Sequence, residues 1–137
     1  MLRHWYGISK GTLHRLQVAQ NHAARLVTKT RFSDHITPVL QKLHWLPVEW
    51  RIRYKVAVLV FQCLKCSNSP SYLRELIQLY KPVRELRSSS DDLILVKNRW
   101  SNSYGQRAFA IMAAAVWNDL PYHLRDSDSL SVFKKHL

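Results

Sequence analysis

The sequence predicts an all-α fold: a single domain of about five or six helices, with room for a short β-hairpin near 93–104. Three observations lead there. Apolar residues recur at helical spacing in two long segments, 12–29 and 48–64. Only three of the 137 residues are glycine, which argues against a turn-rich β protein and against a phosphate-cradling loop. Hydrophobic side chains make up 47% of the chain, enough apolar bulk for a core rather than a disordered tail.

Residues 1–11 read as an N-terminal extension and 12–137 as the helical domain. At about 100° per residue, Leu13, Leu16, Gln20, Ala23, Ala24 and Val27 fall on one broad side of 12–29. Arg15, His22, Arg25 and Lys29 gather on another side, within about 80°. Thr37 and Pro38 suggest a helix start, the threonine as N-cap and the proline in the first turn, where its missing N–H is harmless. Leu46-Pro47 ends that short helix and launches the longest one, over 48–64. Its inner face is expected to be Ile52, Val56, Leu59, Val60 and Cys63, and its outer face Arg51, Lys55, Gln62 and Lys65. Because 56–61 is apolar all round, this helix should be the central one.

Further along, Ser69 or Ser71 can cap a helix through about Leu79, which Lys81-Pro82 stops. The run 88–92 reads as a turn, and 93–96 as a short strand or an extended packing segment. An Ala-rich helix over 106–117 ends before Pro121, and Ser127 or Ser129 caps a last helix running to Leu137.

Charge bounds the function. The chain carries 21 Lys and Arg against nine Asp and Glu, a net +12. Residues 1–66 hold eleven basic and two acidic side chains, a net +9, and 67–137 hold ten and seven, a net +3. A clustered positive field favours polyanions, because every phosphate neutralised releases condensed counterions. The bland alternative is a basic protein docking on an acidic partner or an anionic membrane surface. The longest apolar run, 56–61, is too short to span a bilayer, and Met1-Leu-Arg-His-Trp5 lacks the apolar stretch of a signal peptide. An intracellular, reducing setting is expected, with no membrane partner.

Candidate chemistry is thin. Cys63 and Cys66 form a lone C-x-x-C without a second ligand pair, and Cys63 falls on the apolar face, where a thiol behaves as a small hydrophobe. Asp91-Asp92 follows three serines and precedes an apolar tetrad, so it reads as turn or cap rather than as a two-metal carboxylate site. No catalytic residue, metal site or cofactor is expected. The stretch 44–55 is more informative, because basic side chains alternate there with Trp45, Trp50 and Tyr54. Such interleaving suits a backbone grip with a ring stacked on a base, although tryptophans at helical spacing also serve as core anchors.

A set of motifs adds to this. Leu16-Gln-Val-Ala-Gln-Asn21, Ala23-Ala-Arg-Leu-Val27, Asp34-His-Ile-Thr-Pro38 and Leu43-His-Trp-Leu-Pro47 come first. Pro70-Ser-Tyr-Leu73, Leu86-Arg-Ser-Ser-Ser90, Tyr104-Gly-Gln-Arg-Ala-Phe109, Trp117-Asn118 and Ser129-Leu-Ser-Val-Phe-Lys134 follow. In order and spacing these resemble the C-terminal, post-thumb region of LINE-type (non-LTR) retrotransposon reverse transcriptases, such as the jockey-like elements, over about 12–137. The chain departs from the family pattern in having Cys66-Ser-Asn-Ser69 where the family has a glycine, and Ala114 and Val116 where it has proline and leucine. Lys97 and Arg99 stand displaced from the family's basic run.

The resemblance implies a helical extension of an RNA-directed DNA polymerase, without the palm and its aspartates, that helps grip template or primer. The partners it implies are RNA or DNA backbone and the polymerase domain of a parent enzyme, with no small-molecule substrate. Arg15, Arg25, Lys29, Arg51 and Lys55 are the candidate phosphate contacts, and Trp50 the candidate stacking ring. Two rival readings are a protein-interaction module docking on a polymerase thumb and a decayed fragment without selected function.

Overall fold

The computed structural model describes residues 8–67, 69–80, 95 and 109–137. They form seven helices: α1 (Lys10–Thr28), α2 (Ile36–Lys42), α3 (Val48–Lys65), α4 (Ser71–Glu75), α5 (Phe109–Asn118), α6 (Tyr122–Arg125) and α7 (Leu130–His136). The all-α expectation holds. Of the proposed hairpin near 93–104 only Leu95 is described, in an isolated antiparallel bridge to Leu79. The turn at 88–92, the Asp91-Asp92 pair, Lys97 and Arg99 lie outside the described residues. The chain packs as two compact units, Met1–Arg53 and Tyr54–Leu137, the division falling inside α3.

In the first unit, α1 starts earlier than the hydrophobic pattern suggests, because Ser9 caps it: the Ser9 hydroxyl accepts the Thr12 N–H at 3.1 Å. Its inward face also differs from the expected one. Ala24 is buried and Leu13, Gln20 and Ala23 are half-buried as expected, but Leu16 and Val27 are exposed, and half-buried Gln17 and Asn21 face inward in their place. Gln17 accepts the Val48 N–H at 2.8 Å, satisfying a donor that the first turn of α3 leaves orphaned. Gln17 also donates to Gln20 and Asn21 at 3.0 and 2.8 Å, and Gln20 donates to the Leu46 carbonyl at 2.9 Å. A small apolar cluster completes the interior: Ala24, Val39 and Leu40, with Ile36, Leu43 and Trp45 against them.

Helix α2 begins at Ile36 with His35 at the N-cap, so Thr37 sits inside the first turn rather than capping it. Both α1 and α2 end on a left-handed residue with a 6→1 bond, and α2 adds the 5→2 bond. At α2, the Trp45 N–H reaches the Leu40 carbonyl at 2.9 Å and the His44 N–H the Gln41 carbonyl at 3.0 Å, with His44 left-handed at φ 53. This is a Schellman closure, whose 6→1 bond is accompanied by an apolar contact, here Trp45 on Leu40. At α1, the Thr30 N–H reaches the Arg25 carbonyl at 3.1 Å and Lys29 is left-handed at φ 54. Glycine is the usual occupant of such positions; lysine and histidine stand here.

The second unit holds the larger core. Val56, Ala57, Val58, Val60, Phe61 and Cys63 of α3 are buried, in keeping with its expected central role, whereas Leu59 faces solvent. Phe61 stacks on Phe133 with ring centroids 4.6 Å apart, and Trp117 lies 5.9 Å from Phe133. The Lys65 ammonium donates to the Ser127 carbonyl at 2.8 Å. Asn118 serves as a side-chain stand-in for a strand: its amide accepts the Leu95 N–H at 2.9 Å and donates to the Leu95 carbonyl at 3.0 Å. Helix α4 stops at Glu75, short of the expected end near Leu79, which pairs instead with Leu95. Ser129 caps α7, accepting the Val132 N–H at 3.3 Å.

Candidate nucleic-acid interface

The first unit carries nine Lys and Arg against Asp34 and Glu49, a net +7, and the second twelve against seven, a net +5. The shorter unit is therefore the more densely charged. Arg15, Lys29 and Arg51 are exposed on it, and Lys55 is exposed in the second unit. On α1, Arg15 and His22 lie within about 20° of one another and roughly opposite Ala24, and Lys29 follows the helix as its left-handed C-cap. The stripe thus looks away from the glutamines that hold α1 to residues 46–48.

Arg25 has a different fate. It is half-buried, donates from Nη2 to the Asp34 carbonyl at 2.9 Å and to the Phe32 carbonyl at 3.5 Å, and lies 5.3 Å from the Phe32 ring centroid. Its guanidinium therefore clasps the loop after α1, and part of its donor capacity is spent on backbone. His22 meets the same ring edge-on at 5.3 Å. Phe32 itself stays 75% exposed. His22, Arg25, Leu26, Lys29, Thr30 and Phe32 together line an open cleft of about 480 Å³. An exposed ring among three basic side chains can hold a phosphate with its rim and a flat group with its floor.

Trp50 belongs to a second cleft of the same unit, about 550 Å³, lined by Thr37, Leu40, Gln41, His44, Trp45, Leu46, Pro47 and Trp50. No residue is common to the two clefts, and Arg15 and Arg51 line neither. Trp50 is 49% exposed and carries the Arg53 guanidinium 5.5 Å from its ring centroid. Each left-handed residue of the unit borders one cleft, Lys29 the first and His44 the second. Sequence reasoning missed Phe32, although a lone aromatic in the polar loop 30–35 was a signal for it; His44 opens the aromatic-basic stretch 44–55 but was given no role of its own.

The cysteines make no site. Both are free; Cys63 is buried, and burial pushes its thiol above the ordinary value of 9.0, against a hydrogen bond with Ser69 and the charge of Arg74. Among the described residues, no group of three or more His, Cys, Asp or Glu could hold a metal ion, and no helix is long and apolar enough to cross a membrane. Compared with known proteins, the chain matches no family model, no curated protein and no solved structure.

Proposed function

We propose that this chain is a non-catalytic, sequence-tolerant nucleic-acid-binding segment, akin to the post-thumb extension of a non-LTR retrotransposon reverse transcriptase. One observation carries the reading: His22, Arg25 and Lys29 converge on the exposed ring of Phe32 in a unit of net charge +7. Lys29 and Arg15 on α1, Arg51 on α3 and Lys55 in the second unit supply further cations for backbone phosphates. Arg25 acts chiefly by shaping the cleft. The motif order from residue 12 onward supports the ancestry, in which template or primer is the polyanion.

Fluorescence anisotropy of a labelled oligonucleotide across a salt series tests this. Affinity should fall linearly with the logarithm of salt, and Arg15→Ala, Lys29→Ala and Arg51→Ala should each flatten that slope by about one. A slope near zero would overturn the reading.

A second reading has its own support. Leu16 and Val27 are 47% and 64% exposed on α1 and lie within about 20° of one another, apolar side chains of the kind that dock on a protein such as a polymerase thumb. Docking through those side chains is insensitive to moderate salt, so the same series separates the two.

A further inference from the structure

We infer that the tryptophan cleft of the first unit seats one unpaired nucleobase, which makes the chain selective for single strands. The inference rests on the nucleic-acid reading above and adds what it lacks, a place for a base.

The lining decides the kind of group that fits. Its walls are Leu40, Trp45, Leu46, Pro47 and Trp50, and its polar groups are the neutral Thr37 hydroxyl and Gln41 amide together with the His44 imidazole. No lysine, arginine or carboxylate takes part. A phosphate finds no counter-charge there, whereas a flat, uncharged heterocycle with donors and acceptors on its edge finds rings for its faces and an amide for its rim. The volume, about 550 Å³, lies within the range of roughly 300–1,000 Å³ for small-ligand clefts.

The rings are also held ready. The Trp45 backbone is fixed by its main-chain N–H on the Leu40 carbonyl, and its ring by packing on the Ala24, Val39 and Leu40 cluster. Trp50 stands half-exposed with Arg53 on its ring. His44 is held at the rim by the left-handed backbone of the α2 closure. The charge around the cleft selects the occupant. Lys42 and Arg51 are exposed and are chain neighbours of the lining residues Gln41 and Trp50, so the phosphates flanking a seated base meet cations. A paired base cannot enter, since its faces are already stacked in the duplex.

The experiment compares the full chain on three probes of equal length: a poly-dT strand, the same sugar–phosphate strand without bases, and a duplex. The intact strand should bind about tenfold tighter than the abasic one, the loss of one stacking contact. Trp50→Ala should bring the intact strand to the abasic level with the salt slope unchanged, and Trp50→Phe should restore most of the difference. Equal affinity for intact and abasic strands overturns the inference and leaves the phosphate reading standing. Failure of every probe to bind removes both. Self-association that disappears in Trp50→Ala assigns the cleft to a second copy of the chain and also overturns it.

Discussion

The two compact units use the same helices for different ends. The second buries large rings: Trp117, Phe61 and Phe133 are among its fully enclosed side chains, and Val60 sits with them. Among its described residues the first buries little beyond Ala24, Val39 and Leu40, leaves Leu16, Leu26, Val27, Phe32 and Trp50 in solvent, and orients α1 through glutamine amides. Large apolar contacts account for most of what a helix packing contributes to stability. In this chain the interior with the greatest apolar bulk and the surface with the two clefts belong to different units.

The largest test of that contrast is Trp117→Ala. Emptying a fully enclosed indole should cost about 3–5 kcal/mol, read as a drop in the urea midpoint. A loss under about 1 kcal/mol would break the comparison, since the ring cluster would not then be the principal core. Leu40→Ala comes next, at about 2–3 kcal/mol, because the first-unit cluster is small and less enclosed. It should also loosen Trp45, so the preference for strands with bases should fall along with stability. The smallest effect has the opposite sign. His44→Gly removes a left-handed penalty and should raise stability by up to about 1 kcal/mol in urea titration, offset in part by the extra freedom glycine gives the unfolded chain. A histidine kept for its imidazole should yield a more stable variant with weaker single-strand binding; unaltered binding would confine His44 to a structural place.

Much of the architecture was legible because local signals set it. Leu46-Pro47 marks the start of α3, and the apolar run 56–61 marks its buried stretch. Ser129 was one of two serines read as the cap of the last helix. Misreadings arose where partners are distant in sequence. The inward face of α1 is polar because Gln17 and Gln20 bond to Val48 and Leu46, which hydrophobic periodicity has no means to register. Helix α4 ends at Glu75, and Leu79, expected near its end, pairs with the distant Leu95.

The candidate site divides in the same way. Exposure of Arg15, Lys29, Arg51 and Lys55 follows from helical phase alone. The turning of Arg25 onto Phe32 and Asp34, and the meeting of Trp45, Trp50 and His44 around one cleft, depend on how the chain folds back after each left-handed closure. Both closures lack the glycine that would have announced them.

The bond from Gln17 to the first amide of α3 has one more consequence. A joint built from amides is directional, so it fixes the angle at which α1 leaves residues 46–48 more firmly than it resists detachment. Its rupture exposes scarcely any grease, and such an opening is nearly indifferent to denaturant.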